Sequence, residues 1–166
     1  MIVDSYRFLP RSFRPLYEGR GPYRGEEEPV FTGLGKRLAE SRIALLTSAG
    51  MYVRGAQDPF DMDGERERPE WGDPSWRAIP TSASELGVAH LHINDEDLLA
   101  DPEIALPMRL LSFLASEGVI GSTAGEHLSV MGYQAHNLRD WHSTTAPALV
   151  ANLRAQGADG LVLAPA

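Results

Sequence analysis

At 166 residues the chain has the length of one domain, and 43% apolar with 23% charged residues suffices for a buried core. A net charge of -8 argues against nucleic acid or an anionic membrane as partner, because neutralising phosphates needs a basic face. No cysteine is present, so this sequence can form no disulfide, thiolate metal site or cysteine nucleophile. No stretch approaches the ~18–20 continuous apolar residues of a membrane span. The N-terminus has arginines but no apolar signal region, so the cytoplasm is the expected compartment.

Residues 1–31 are rich in Pro, Arg, Gly and Tyr and show no clean period. Their aromatics predict an extended arm packed on the domain or on a neighbouring subunit. Residues 32–166 read as one α/β domain. Residues 33–40 suggest a short helix, and Ile43-Ala44-Leu45-Leu46-Thr47 a buried parallel strand. Residues 54–80 read as a long polar loop whose Trp71 and Trp76 either line a pocket or form the loop's own small core. Residues 88–93 suit a second strand. Residues 103–117 have helical spacing at Ile104, Met108, Leu111 and Leu114, with Pro107 in the first turns and Gly118 as C-cap. Residues 119–121 and 127–131 suggest short strands around a turn. Residues 137–156 read as a helix interrupted by Pro147 and closed by Gly157, and residues 161–164 as a final strand. This order predicts a three-layer fold with a mostly parallel sheet, flavodoxin-like or Rossmann-like. Such folds place their sites at the carboxyl ends of the strands.

Several residues there could carry chemistry. On a strand, His90 and His92 share a face, and two imidazoles with a carboxylate such as Asp97 form a set known for iron and zinc. The alternative is that one ring satisfies a loop carbonyl and the other faces a neighbouring element. His127 is a candidate third ligand or acid/base; His136 and His142 stand six apart and share no face of an ideal helix. Thr47 and Ser48 follow the first strand, where small polar residues hold anionic groups or simply make a tight turn. In the long loop Arg54, Asp73 and Arg77 are candidate substrate-binding residues: Arg77 could grip a substrate carboxylate with Asp73 capping or orienting it, or an internal Asp–Arg pair could pin the loop. No GxGxxG, GxxxxGK[ST] or GxSxG motif is present, so nucleotide binding and serine hydrolysis lack support.

The runs LAESRIALLTSAGMYVRGAQDPFD (38–61), WGDPSWRAIP (71–80), residues 88–122, HLSVMGY (127–133) and RAQGADGLVLAPA (154–166) occur in that order. Together they resemble the selenoprotein B component of the glycine/sarcosine/betaine and D-proline reductases over residues 34 to 166. The resemblance implies a reductase relation, a small amino-acid-like substrate, and a homo-oligomer or partner subunit. In that family the last strand delivers a selenocysteine or cysteine shortly after the proline matched here by Pro165. This sequence reaches Ala166 about where that residue would come, and nothing in Ala164-Pro165-Ala166 replaces a soft nucleophile. Two explanations stay open: termination at a selenocysteine codon, or a short relative that has lost the residue. The expected function is a diverged enzyme working by other chemistry, with a divalent metal at His90 and His92 as one route. The alternative is a non-catalytic or truncated subunit of a reductase-like complex.

Overall fold

The computed structural model describes Pro15 and residues 32–166, save 69, 70, 92, 93, 133, 135 and 136. The expected N-terminal arm lies outside the described residues. Contacts divide the chain into Met1–Gly33 and Leu34–Ala166, and the architecture is that of the second unit.

Strand β1, Arg42–Thr47, is the axis of the main sheet. Its run RIALLT supplies side chains for both faces, and Ile43, Ala44 and Leu45 are buried. Such two-sided burial is what a central parallel strand needs. Ile43 faces Thr123 of β5 (Ser122–Thr123) across one edge and Gly160 of β7 (Gly160–Ala164) across the other. Leu46 likewise faces Leu128 of β6 (Glu126–Val130) and Leu163 of β7. So β7 takes one edge of β1, while β5 and β6 share the other in succession, all parallel to it. Strand β3, Trp76–Pro80, adds on antiparallel to β6 with Trp76 opposite Val130 and Pro80 opposite Glu126. The sheet is therefore mixed but mostly parallel, as expected.

A second, two-stranded sheet pairs β2 (Met51–Val53) antiparallel with β4 (Leu86–Val88). This corrects the strand expected over 88–93: the strand ends at Val88 and does not join the main sheet. Gly50 explains the change of direction. Its φ of +63° is open to glycine without strain, and its N–H and C=O bond Val130 and Ala89.

Much of the expected loop over 54–80 is ordered structure. Helix α1, Met62–Glu67, is capped by Asp61, whose side chain accepts from the Gly64 N–H. Strand β3 was hidden because WRAIP ends in proline, which a central strand excludes but an edge strand accepts. The helix expected over 33–40 is a 3-10 turn, Leu38–Glu40. The helix expected over 103–117 divides. A 3-10 turn spans Pro102–Ile104, and α3 starts after Pro107 and spans Met108–Ser116. Met108 and Leu111 are buried, whereas Ile104 is exposed. Asn94 caps α2 (Asp95–Ala100), and Gly118 follows α3 with φ +70°. The last helical stretch begins as α4, Leu138–Asp140, widens into a π-helical turn at Trp141–Thr145, and continues as α5, Ala146–Ala155. Pro147 sits in the first turn of α5, where its missing N–H costs least.

The largest core cluster joins Ile43, Leu45, Met51, Ile79, Leu98, Leu106 and Leu111. A smaller one, Leu128, Val130 and Leu149, joins β6 to α5. Strand β7 differs: Leu161, Val162 and Leu163 are all exposed. No helix among the described residues is long and apolar enough to cross a membrane.

A Gly50→Ala substitution tests the turn between the sheets. Its Cβ would meet the Ala89 carbonyl oxygen and lie 2.8 Å from Met131 Sδ. We expect a loss of roughly 2–4 kcal/mol from left-handed strain plus overpacking, read as a lower denaturant midpoint.

Candidate functional site

Strands β1, β6 and β7 end on one edge, and their ends meet at Ser48. The Ser48 hydroxyl accepts from the Ala166 N–H at 2.9 Å, and the Ser48 N–H reaches the Ala164 carbonyl at 3.4 Å. Gly132, just beyond β6, is so close that a Cβ there would lie 3.3 Å from Ser48 Cβ. Thr47, one residue earlier, is fully buried, and its Oγ1 accepts from the Ala49 N–H at 3.2 Å. It stands opposite Ser129, whose buried hydroxyl has no partner among the described residues. Of the expected pair, Ser48 is therefore the one at the open edge.

The same edge carries a cavity of about 460 Å³, bounded by residues 73–76, Asp140, Thr144 and Thr145. Because β3 runs antiparallel to β6, its first residue, Trp76, lies at the carboxyl end of β6. The loop before β3 is built around Asp73. This side chain is 9% exposed; Oδ2 accepts from the Asp61 N–H at 2.9 Å and Oδ1 from the Ser75 N–H at 2.8 Å. Arg77 completes the frame. It donates to the carbonyls of Asp58, Pro59 and Trp76 and to Ser75 Oγ, and its guanidinium stacks 4.2 Å from the Phe60 ring centre. Asp73 and Arg77 thus pin the loop as one system, but through backbone groups and Ser75 rather than through an Asp–Arg pair. Arg54 is exposed beyond β2, and its backbone N–H bonds Glu85. Trp76 and Trp71 divide the two roles open to them. Trp76 lines the cavity, while Trp71 packs over Gly64 and takes Arg68 on its ring at 4.8 Å.

The histidines separate. His90 is half-buried beyond the end of β4, so the strand that would align it with His92 is absent at that position. His92 and His136 lie outside the described residues. Asp97 is exposed on α2, and His142 is exposed on the π-helical turn. No three His, Asp or Glu side chains among the described residues cluster as a metal site.

His127 is fully buried between β1 and β3. Its Nδ1 accepts from the Leu45 N–H at 3.1 Å, and its Nε2 lies 3.4 Å from Thr81 Oγ1. This fixes the neutral tautomer with the proton on Nε2, donated to Thr81. The Thr81 hydroxyl in turn donates to the Ala124 carbonyl at 2.7 Å. Burial lowers its pKa from 6.5 to about 4, against a smaller opposing pull from the Glu103 carboxylate. Both ring nitrogens are engaged inside the sheet.

A second cavity, of about 300 Å³, lies at the opposite edge among Thr81, Leu86, Asp101, Glu103, Met108 and Arg109. Its charges are already matched. Arg109 donates to Asp101 at 3.0 Å, and Glu103 accepts from the Arg109 and Leu110 N–H groups at the start of α3.

Against known proteins, the chain is 28% identical over 137 residues to the D-proline reductase subunit gamma of Acetoanaerobium sticklandii. This chain is a distant relative of the D-proline reductase family. The family resemblance carried by the motifs is thus borne out. The alignment takes in 81% of this chain and 52% of the relative, so the chain spans about half the length of the curated relative it matches. No family model matches the chain, and no solved structure does. Of the residues around the cavity, Asp140, Thr144 and Thr145 escaped sequence reading. Their helix gives no periodic signal for a π turn.

His127 predicts a pH dependence. The unfolded chain binds its proton near 6.5, whereas the folded chain does so only near 4. Stability from this group is therefore full above 6.5 and falls as pH drops toward 4, by about 3 kcal/mol in total. Urea unfolding at pH 7 and pH 5 should show the fall in wild type and a smaller one in His127→Gln.

Proposed function

We propose that this chain is one component of a reductase-type assembly. It receives a small amino-acid-like molecule at the carboxyl edge of its parallel sheet and works there with a partner chain. The observation that carries this reading is the meeting of β1, β6 and β7 at the Ser48 hydroxyl. In open α/β sheets ligands bind outside the carboxyl ends of the strands. The relative's own name, a subunit of D-proline reductase, supports both the substrate class and the partner.

The division of labour follows from the residues. No thiol exists in this sequence, and a serine hydroxyl does not ionise near neutral pH to attack as a thiolate or selenolate does. The redox nucleophile is therefore assigned to a group outside these residues. Arg77, Asp73 and His127 hold the scaffold in shape, which favours a binding role for the chain over proton transfer. A cytoplasmic setting belongs with this reading.

Amide shifts in NMR spectra recorded with D-proline, L-proline, glycine, sarcosine and betaine in turn provide the test. Shifts clustered at Ser48, Gly132 and Ala164 are expected with at least one compound. No shift with any of the five, or shifts confined to Thr81, Glu103 and Arg109 at the far edge, would overturn the proposal.

A further inference from the structure

We infer that the outward face of α3 is an interface at which two copies of this chain pack, helix against antiparallel helix, across a two-fold axis. Met108 and Leu111 hold α3 to the core. The opposite face is centred on Phe113, with Leu110 three residues before it, and these side chains are 57% and 55% exposed. Two large apolar groups side by side on an outward helix face are the mark of a contact surface. Ser112 and Ser116 flank Phe113. Their hydroxyls donate to the Met108 and Phe113 carbonyls at 2.9 and 2.7 Å, so an aromatic ring can cover both without stranding a donor.

Charge selects the occupant. Arg109 and Glu117 stand four residues before and four after Phe113, on the same helix face. A copy turned antiparallel about Phe113 brings its Glu117 beside Arg109 and its Arg109 beside Glu117. The face is therefore complementary to itself, as a closed two-fold interface requires. A parallel pair would set Arg109 against Arg109 and Glu117 against Glu117, so charge fixes the direction as well. The helix dipoles agree, because each Glu117 then meets the partner's N-terminal end and each Arg109 its C-terminal end. The Arg109 side chain is 77% exposed; it holds Asp101 through Nη2 and Glu103 through Nε, and Nη1 makes no bond among the described residues. Glu117 is exposed and makes no ion pair among the described residues. The nine residues of α3 span about 14 Å, less than a standard interface, so the dimer forms reversibly with a Kd of about 10–100 µM. The inference uses α3 alone and does not depend on the reductase reading.

Sedimentation equilibrium of the full chain at low salt tests it, from low micromolar to several hundred micromolar concentration. The mass is expected to rise from that of one chain to that of two. Phe113→Ser, at an exposed position, should weaken the dimer about 10-fold or more. Glu117→Arg sets like charges together at both ends and should weaken it about 3- to 10-fold. Glu117→Arg mixed with Arg109→Glu should restore association, since both charge contacts of the mixed pair join opposite signs; melting curves check that each variant folds. The mass of one chain throughout the range, a dimer unchanged by Phe113→Ser, growth beyond two chains, or a mixture no tighter than its folded components would each overturn the inference.

Discussion

Strand β1 is hydrogen-bonded along both edges by parallel neighbours, and the rest of the structure is arranged to permit it. The partners on one edge do not run smoothly. Two β1 residues separate Ile43 from Leu46, but four residues separate their partners Thr123 and Leu128. Such a bulge would strand the Leu45 N–H in the core, at a cost of about 1–3 kcal/mol. The His127 ring fills the gap by accepting that N–H in place of a carbonyl. On the other edge, Asp159 holds the start of β7. Its carboxylate accepts the Arg42 N–H at 2.7 Å and pairs with Lys36 at 2.8 Å. The Lys36 hydrogen bond first, and the Arg42 N–H next, hold its pKa below the ordinary carboxylate value. At the far end Ser48 receives the backbone that leaves β7. A histidine, an aspartate and a serine thus close the three places where the ladders of β1 would otherwise fray.

The same economy explains why chemically promising residues turn out to be committed. Arg77 looks like a carboxylate clamp, yet four hydrogen bonds tie it to residues 58, 59, 75 and 76. A polar loop over the end of a sheet has many backbone groups to satisfy and few side chains to do it. Arg77 and Asp73 supply that need as donor and acceptor. Their occupation keeps Trp76 at the wall of the cavity that Asp140 also lines.

The parts of the fold legible in the sequence were those set by local apolar runs. The run at 43–47 and that at 161–164 announce β1 and β7, and Gly118 and Gly157 mark helix ends through their need for positive φ. Register and sheet membership were not legible. Val88 belongs to β4 rather than to the main sheet because Gly50 turns β2 toward it, a tertiary event that periodicity cannot report. Strand β3 escaped because its proline and tryptophan read as loop chemistry. For the site, the carboxyl edge followed from strand order, so Ser48 was within reach. The wall formed by Asp140, Thr144 and Thr145 depends on a π turn, whose signature lies in hydrogen bonding and not in composition.

The two edges of the sheet differ in what they leave unmatched, and that difference separates scaffold from site. At the amino edge, Asp101, Glu103 and Arg109 neutralise one another and the start of α3, and Thr81 is bound to His127 and the Ala124 carbonyl. A ligand there would have to break existing bonds before making its own. At the carboxyl edge, Asp140 faces solvent without a partner among the described residues, Ser129 holds a buried hydroxyl with none, and an indole face borders open space. Desolvation of a ligand's charge can be offset at the second edge and not at the first. A ligand is therefore better received beside the strand ends that meet at Ser48 than at the amino edge.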